Sequence, residues 1–230
     1  MTSETQARHD LVLFGKKLHE GGHVAATDGN LSIRLDDGRI LATPTGMSKG
    51  MMHPEDMVIV DLKGKKCCGE RNPSSELGMH LLIYNTRPEV NAVVHGHPVT
   101  ATGFAAAGMS LEEPLVSEIV ISLGAVPLAK YGTPGTPELT DALLPFVPDY
   151  DAILMANHGV VTYGPDLLSA YMKMETVEHF AKIALVTHQL GRQQLLTKEE
   201  VEKLLECREK YEGVTSVAKM LPRLSMTRGN

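Results

Sequence analysis

DGNLSIRLDDGRILATPTG, residues Asp28 to Gly46, sets two short apolar runs on either side of Asp37-Gly38. An Asp-Gly pair between alternating apolar residues signals a β-hairpin, because both residues accept the left-handed backbone of a tight turn. Strands joined by so short a turn run antiparallel. The sheet that grows from this hairpin is therefore expected to be largely antiparallel or mixed. Downstream, Met57 to Leu62 (MVIVDL) reads as another buried strand closed by a turn at Gly64. Upstream, Ala7, Leu11, Phe14 and Leu18 recur at helical intervals over Thr5 to Glu20, and Gly21-Gly22 ends that helix.

Further along, Ser74 or Ser75 reads as the N-cap of a helix carrying Leu77, His80, Leu81 and Tyr84, which stops between Asn85 and Pro88. A strand then holds VVHGHPVTA, Val93 to Ala101. Ile119 to Pro127 is predicted as strand, Pro137 to Leu144 as a short helix, and Ala152 to Ala156 as a buried strand. Asp166 to Leu190 forms a long helix. Lys198 to Tyr211 forms another, opened by Thr197 with Glu200 three residues on as a capping box. The polar tail after Gly213 is expected to be mobile. The whole, residues 1 to 230, reads as one α/β domain in which helices cover a sheet.

Composition narrows the partners. Of 230 residues, 43% are hydrophobic and 22% charged, as in an ordinary globular protein. The formal charge is −6 and no basic cluster stands out, which argues against nucleic acid and anionic membrane surfaces. No apolar stretch reaches bilayer-spanning length, and the polar, then amphipathic N-terminus does not read as a signal peptide. Cys67, Cys68 and Cys207 are an odd set, and KKCCGE, read as a turn, supplies no second cysteine pair for a metal. They are expected to be reduced thiols of a cytoplasmic protein.

Chemistry concentrates in a few places. His95 and His97 are two apart, so on a strand both rings leave one face and can share a partner. That partner is a metal ion, a substrate or nothing; the pair alone fits a satisfied histidine pair equally well. His158 follows another buried strand and precedes Gly159. Three neutral imidazoles converging from strand ends make a usual catalytic zinc set with one position left open. Glu76 is the best-placed carboxylate, although the helix macrodipole alone explains an acid there. His80, four residues on, is either a rival ligand or a packed side chain. Gly29 and Asn30, then Thr45 and Gly46 with Ser48 and Lys49, then Ser74 and Ser75, offer donors suited to a phosphate, though each is also an ordinary turn. Walker and Rossmann patterns are missing, so a nucleotide is not the expected ligand.

Taken in order, GNLS (Gly29–Ser32), TPTG (Thr43–Gly46), SSE (Ser74–Glu76), HGH (His95–His97) and NHG (Asn157–Gly159) resemble the class II aldolase/adducin family, from about residue 8 to residue 212. The resemblance implies a three-layer α/β/α fold and a homotetramer with active sites between subunits. It implies that His95, His97, His158 and Glu76 hold one divalent cation per chain, Zn2+ first, with Mn2+ or Co2+ as alternatives. Glu76 becomes the base when substrate displaces it. Gly29, Asn30, Thr45, Gly46, Ser74 and Ser75 become the phosphate pocket for a small phosphorylated sugar. The implied reaction cleaves a ketose 1-phosphate, of the L-fuculose 1-phosphate kind, to dihydroxyacetone phosphate and an aldehyde. Tyr211 matches a C-terminal tyrosine of such enzymes. Glu118 stands where they carry a proton-donating tyrosine from the neighbouring subunit, which opens the aldehyde side of the reaction. Decarboxylation, epimerisation or dehydration are the alternatives within the family. A non-catalytic, adducin-like role is ranked last, because such members lack the full ligand set that this chain carries.

Overall fold

The Asp37-Gly38 turn forms as read. In a computed structural model, which describes residues 3–208, Gly38 adopts φ 81 and the Leu35 N–H meets Arg39 O at 2.8 Å. The hairpin strands are β1 (Asn30–Arg34) and β2 (Ile40–Ala42). Then follow β3 (Val58–Val60), β4 (Lys66–Cys68), β5 (Ala92–Gly96), β6 (Leu128–Ala129), β7 (Ala152–Met155) and β8 (Gly159–Gly164). They make one eight-stranded sheet in the order β4-β3-β2-β1-β5-β8-β7-β6. Every neighbouring pair is antiparallel except β6 with β7. The helices are α1 (Glu4–Glu20), α2 (Leu77–Thr86), α3 (Val99–Ala106), α4 (Ser117–Ser122), α5 (Pro137–Leu143), α6 (Leu167–Gln189) and α7 (Lys198–Arg208).

Strand alternation sorts the core into two faces. Leu31, Ile33, Ala92 and Val94 pack with Leu11, Phe104, Met174 and Phe180 from α1, α3 and α6. Ile40, Val58, Val93 and Val161 pack on the other face with Met79, Ile83, Leu139 and Leu143 from α2 and α5. The result is three layers, α/β/α, around a mostly antiparallel sheet. Parity also decides the site. Asn30 pairs with His95 and Ser32 with Val93, so Asn30, Ser32 and His95 share the face that α2 covers. Among the described residues, no helix is long and apolar enough to cross a membrane.

Three expectations need correction. Ile119 to Pro127 is not a strand: its first part is α4, and only Leu128–Ala129 joins the sheet. The Leu123 and Gly124 N–H groups both return to Ile119 O, with Gly124 in the left-handed region (φ 79), a helix stop. A short apolar run buried all round has no period that separates helix from strand. The N-cap of α2 is Glu76, not Ser74 or Ser75. Ser74 still organises the bend, because its Oγ accepts the Glu76 N–H at 3.2 Å and its carbonyl accepts the Leu77 N–H at 3.1 Å. KKCCGE is edge strand β4 rather than a turn, and its two cysteines are free and exposed.

At the start of β7 lies a buried ionic cluster. Asp151 accepts from Arg87 Nη2 at 3.1 Å and from Lys173 Nζ at 2.8 Å. Arg87 also donates to Val147 O at 3.1 Å, and Lys173 to Tyr163 O at 3.0 Å. This cluster ties α2, β7 and α6 together at the end of β7 away from His158.

Candidate active site and metal-binding cluster

His95 closes β5, and its Nδ1–H donates to Val160 O of neighbouring β8 at 2.8 Å. That bond fixes the tautomer and leaves Nε2 as a lone pair. His97 lies just past the strand, held by its N–H to His23 O at 2.8 Å. Its Nδ1 faces Asp28 Oδ2 at 3.3 Å, which again leaves Nε2 bare. The two Nε2 atoms stand 3.2 Å apart. His158 enters from the β7–β8 turn, where Asn157 takes a left-handed backbone (φ 56) and the His158 N–H returns to Met155 O. Asparagine tolerates that conformation better than most residues. Gly159 is required by crowding, since a Cβ there would overlap the His97 ring and lie 2.6 Å from Gly96 O.

Glu76 faces this trio from the start of α2. Its Oε1 is 3.0 Å from His158 Nε2 and its Oε2 is 3.3 Å from His95 Nε2. Oε2 also accepts the Asn30 Nδ2–H at 2.9 Å, whereas Oε1 is buried without a well-aligned hydrogen bond. Burial would raise the Glu76 pKa, but contact with His158 and His95 outweighs it and holds the carboxyl well below its ordinary range. Burial, followed by charge on His95 and His158, pushes the His97 pKa down to about 4. His97 is therefore a poor carrier of a mediating proton near neutral pH. The imidazole donor atoms lie within 4.8 Å of one another. Lone pairs and an anion aimed at one small region repel unless a cation sits among them, and nitrogen ligands with one carboxylate suit a zinc-like ion. The residues fit the group.

Beside the cluster opens a cavity of about 250 Å³ lined by Gly29, Asn30, Thr45, Gly46, Ser74 and Ser75, with Glu76 and His97 on its wall. The structure thus brings together the donors singled out for an anion, except Ser48. Lys49 also lines it, almost fully buried, donating to Thr27 O at 3.2 Å and to Met47 O. Burial pulls its pKa down to about 8, against the field of Asp28.

These motifs lie within residues 9–185, which match the family described as Class II Aldolase and Adducin N-terminal domain. The chain belongs to this family. A 5-deoxy-D-ribulose 1-phosphate aldolase of Bacillus thuringiensis serovar kurstaki is 38% identical, over 90% of this chain and 95% of that protein. A 3-oxo-tetronate 4-phosphate decarboxylase of Pectobacterium atrosepticum is 35% identical, over 89% and 94%. The solved structure of an L-fuculose 1-phosphate aldolase matches with a TM-score of 0.84 at 33% identity, covering 91% of this chain and 99% of that one.

Not every expected residue joins the class II site. Glu118 is exposed on α4 and lines a separate cleft with Glu175, His179 and Leu204. Tyr211 and the polar tail lie outside the described residues. His80 is no ligand: its Nε2 meets Asn30 Oδ1 at 2.5 Å and its Nδ1 meets Ser32 Oγ at 2.7 Å. Two supports were missed from the sequence. Asp28, inside the opening motif, reaches His97 from 69 residues away. Glu178 of α6 accepts the Thr100 N–H at 3.1 Å and the Ala101 N–H at 2.9 Å, which anchors the start of α3 just after His97. Neither long-range contact has a local signal.

Proposed function

We propose that the protein is a metal-dependent lyase that cleaves a ketose 1-phosphate to dihydroxyacetone phosphate and an aldehyde. The observation that carries this reading is the Glu76 carboxylate, set among three imidazoles and on the wall of a donor-rich cavity. Two aldolase relatives named for sugar 1-phosphates support it. His95, His97 and His158 would hold a divalent cation, Zn2+ first, with Glu76 as the fourth ligand at rest. When bound, that cation supplies Lewis-acid stabilisation of the charge developing beside the broken carbon–carbon bond. Glu76, anionic at neutral pH, takes and returns the proton at the reacting carbon. Gly29, Asn30, Thr45, Gly46, Ser74 and Ser75 hold the phosphate through neutral donors, which orients the carbon chain towards Glu76. A homotetramer would bring Glu118 of a neighbouring copy towards the aldehyde end.

The test is solvent deuterium exchange into dihydroxyacetone phosphate, followed by NMR with no aldehyde present. The parent exchanges, and Glu76→Gln loses about two to four orders of magnitude in rate. Exchange that survives intact in the variant removes Glu76 as the base. A second reading, decarboxylation of a 3-oxo sugar-acid phosphate, draws on the similarity to the tetronate-phosphate decarboxylase and on Glu118 standing in place of a tyrosine. Carbon dioxide release from such a substrate, with no exchange into dihydroxyacetone phosphate, selects it.

A further inference from the structure

Behind Glu76 runs a line of four buried polar side chains. Asn30, Ser32, His80 and Tyr84 are each nearly inaccessible to solvent. Tyr84 Oη lies 2.8 Å from Ser32 Oγ, Ser32 Oγ lies 2.7 Å from His80 Nδ1, and His80 Nε2 lies 2.5 Å from Asn30 Oδ1. Asn30 Nδ2 then reaches Glu76 Oε2 at 2.9 Å. Burying four polar groups in a row carries a desolvation cost that an apolar lining would not. The line ends on the carboxylate, and its direction can be worked out.

An amide oxygen turned towards the Glu76 carboxylate would be repelled, so Asn30 presents its N–H2 there and its Oδ1 to His80. His80 Nε2 must then be the protonated nitrogen. Burial pushes the His80 pKa down to about 3, so the ring is neutral and Nδ1 is an acceptor. Ser32 has one hydroxyl proton and gives it to Nδ1, which leaves its oxygen to accept from Tyr84. Every proton points towards Glu76.

We propose that Tyr84, Ser32 and His80 form a one-way hydrogen-bond relay that locks the Asn30 amide and so positions the Glu76 carboxylate. They are positioning residues, whose side-chain hydrogen bonds run to one another and to Asn30. Asn30 keeps one N–H free of the relay, so a single side chain joins the carboxylate to the anion cavity. The expected kinetic effect rests on the proposed role of Glu76; the hydrogen-bond direction does not.

The test uses the 15N-labelled full chain without metal, then the metal-loaded enzyme. In the parent, a long-range 1H–15N spectrum should show His80 protonated at Nε2 and bare at Nδ1 between pH 5.5 and 8. Ser32→Ala and the shape-preserving Tyr84→Phe should move the Asn30 side-chain amide signals. Both should lower kcat by about 10- to 100-fold, as loss of an outer-shell partner does, with KM unchanged. Should Ser32→Ala not fold, Tyr84→Phe alone carries the comparison. A parent His80 protonated at Nδ1 overturns the relay, as do variants with unmoved Asn30 signals and parental kcat. A parent with no lyase activity defeats the functional reading, while the tautomer and the amide signals still decide the relay.

Discussion

Each end of β7 carries a group of ionisable side chains. At Asp151, the first end, an acid faces an arginine and a lysine, whose other protons meet backbone carbonyls and the Glu89 carboxylate. At His158, past the other end, three imidazoles and a carboxylate face one another with lone pairs. The first group is buried between the layers, whereas the second is part-buried and borders the cavity. The first is complete within the chain, whereas the second is complete only with something positive added. Burial of charge by itself therefore does not mark a function; the balance of donors and acceptors does.

The contrast can be broken from the ion-paired end first. Asp151→Ala leaves Lys173 buried without its counter-ion and Arg87 paired only with the exposed Glu89, and should cost about 3 kcal/mol of stability, read from urea unfolding. Metal affinity of the folded fraction should stay at the parental value. Loss of metal binding with unchanged stability would mean that the two ends are not separate in role.

Metal addition probes the other end. At about a hundredfold excess over its Kd, a divalent cation should stabilise the parent by about 2.7 kcal/mol. The same addition should leave the thermal midpoint of His97→Ala where it was. An equal rise in both proteins would place the ion elsewhere.

Acid gives the smallest effect. Burial depresses the folded-state pKa of His80 to about 3, against 6.5 for the unfolded chain. Below pH 6.5 the unfolded chain takes a proton that the folded ring refuses, so stability falls as pH drops towards 3. Between pH 6.5 and 5.5 this group contributes at most about 1.4 kcal/mol. Urea midpoints at the two pH values should diverge more in the parent than in His80→Asn, and equal divergence would assign the loss to other groups.

How far the sequence could be read follows from the range of each interaction. The hairpin and the Thr197–Glu200 capping box are local patterns that take the predicted form, and the HxH rings meet although His97 lies past the strand. The metal and phosphate roles came from resemblance, because nothing in the spacing of Glu76 and His158 says that they meet. Ile119 to Pro127 was misread because an all-round buried run lacks a period. His80 was ambiguous because its partners, Asn30 and Ser32, lie 50 and 48 residues away across the β1 register. Asp28 and Glu178 were invisible for the same reason.

The turn at Asp37-Gly38 closes the far ends of β1 and β2, while Asn30 and the Thr43–Gly46 segment occupy their near ends. Asp36 and Asp37 are exposed, and space around Gly38 is open. Five residues of β1, about 16 Å of extended chain, separate that tip from the cavity wall. A peptide tag, a fluorophore or a surface tether spliced between Asp37 and Gly38 would thus sit at arm's length from the chemistry. The register that sets Asn30 opposite His95 would be left as it is, which makes this tip the natural handle for immobilising the catalyst.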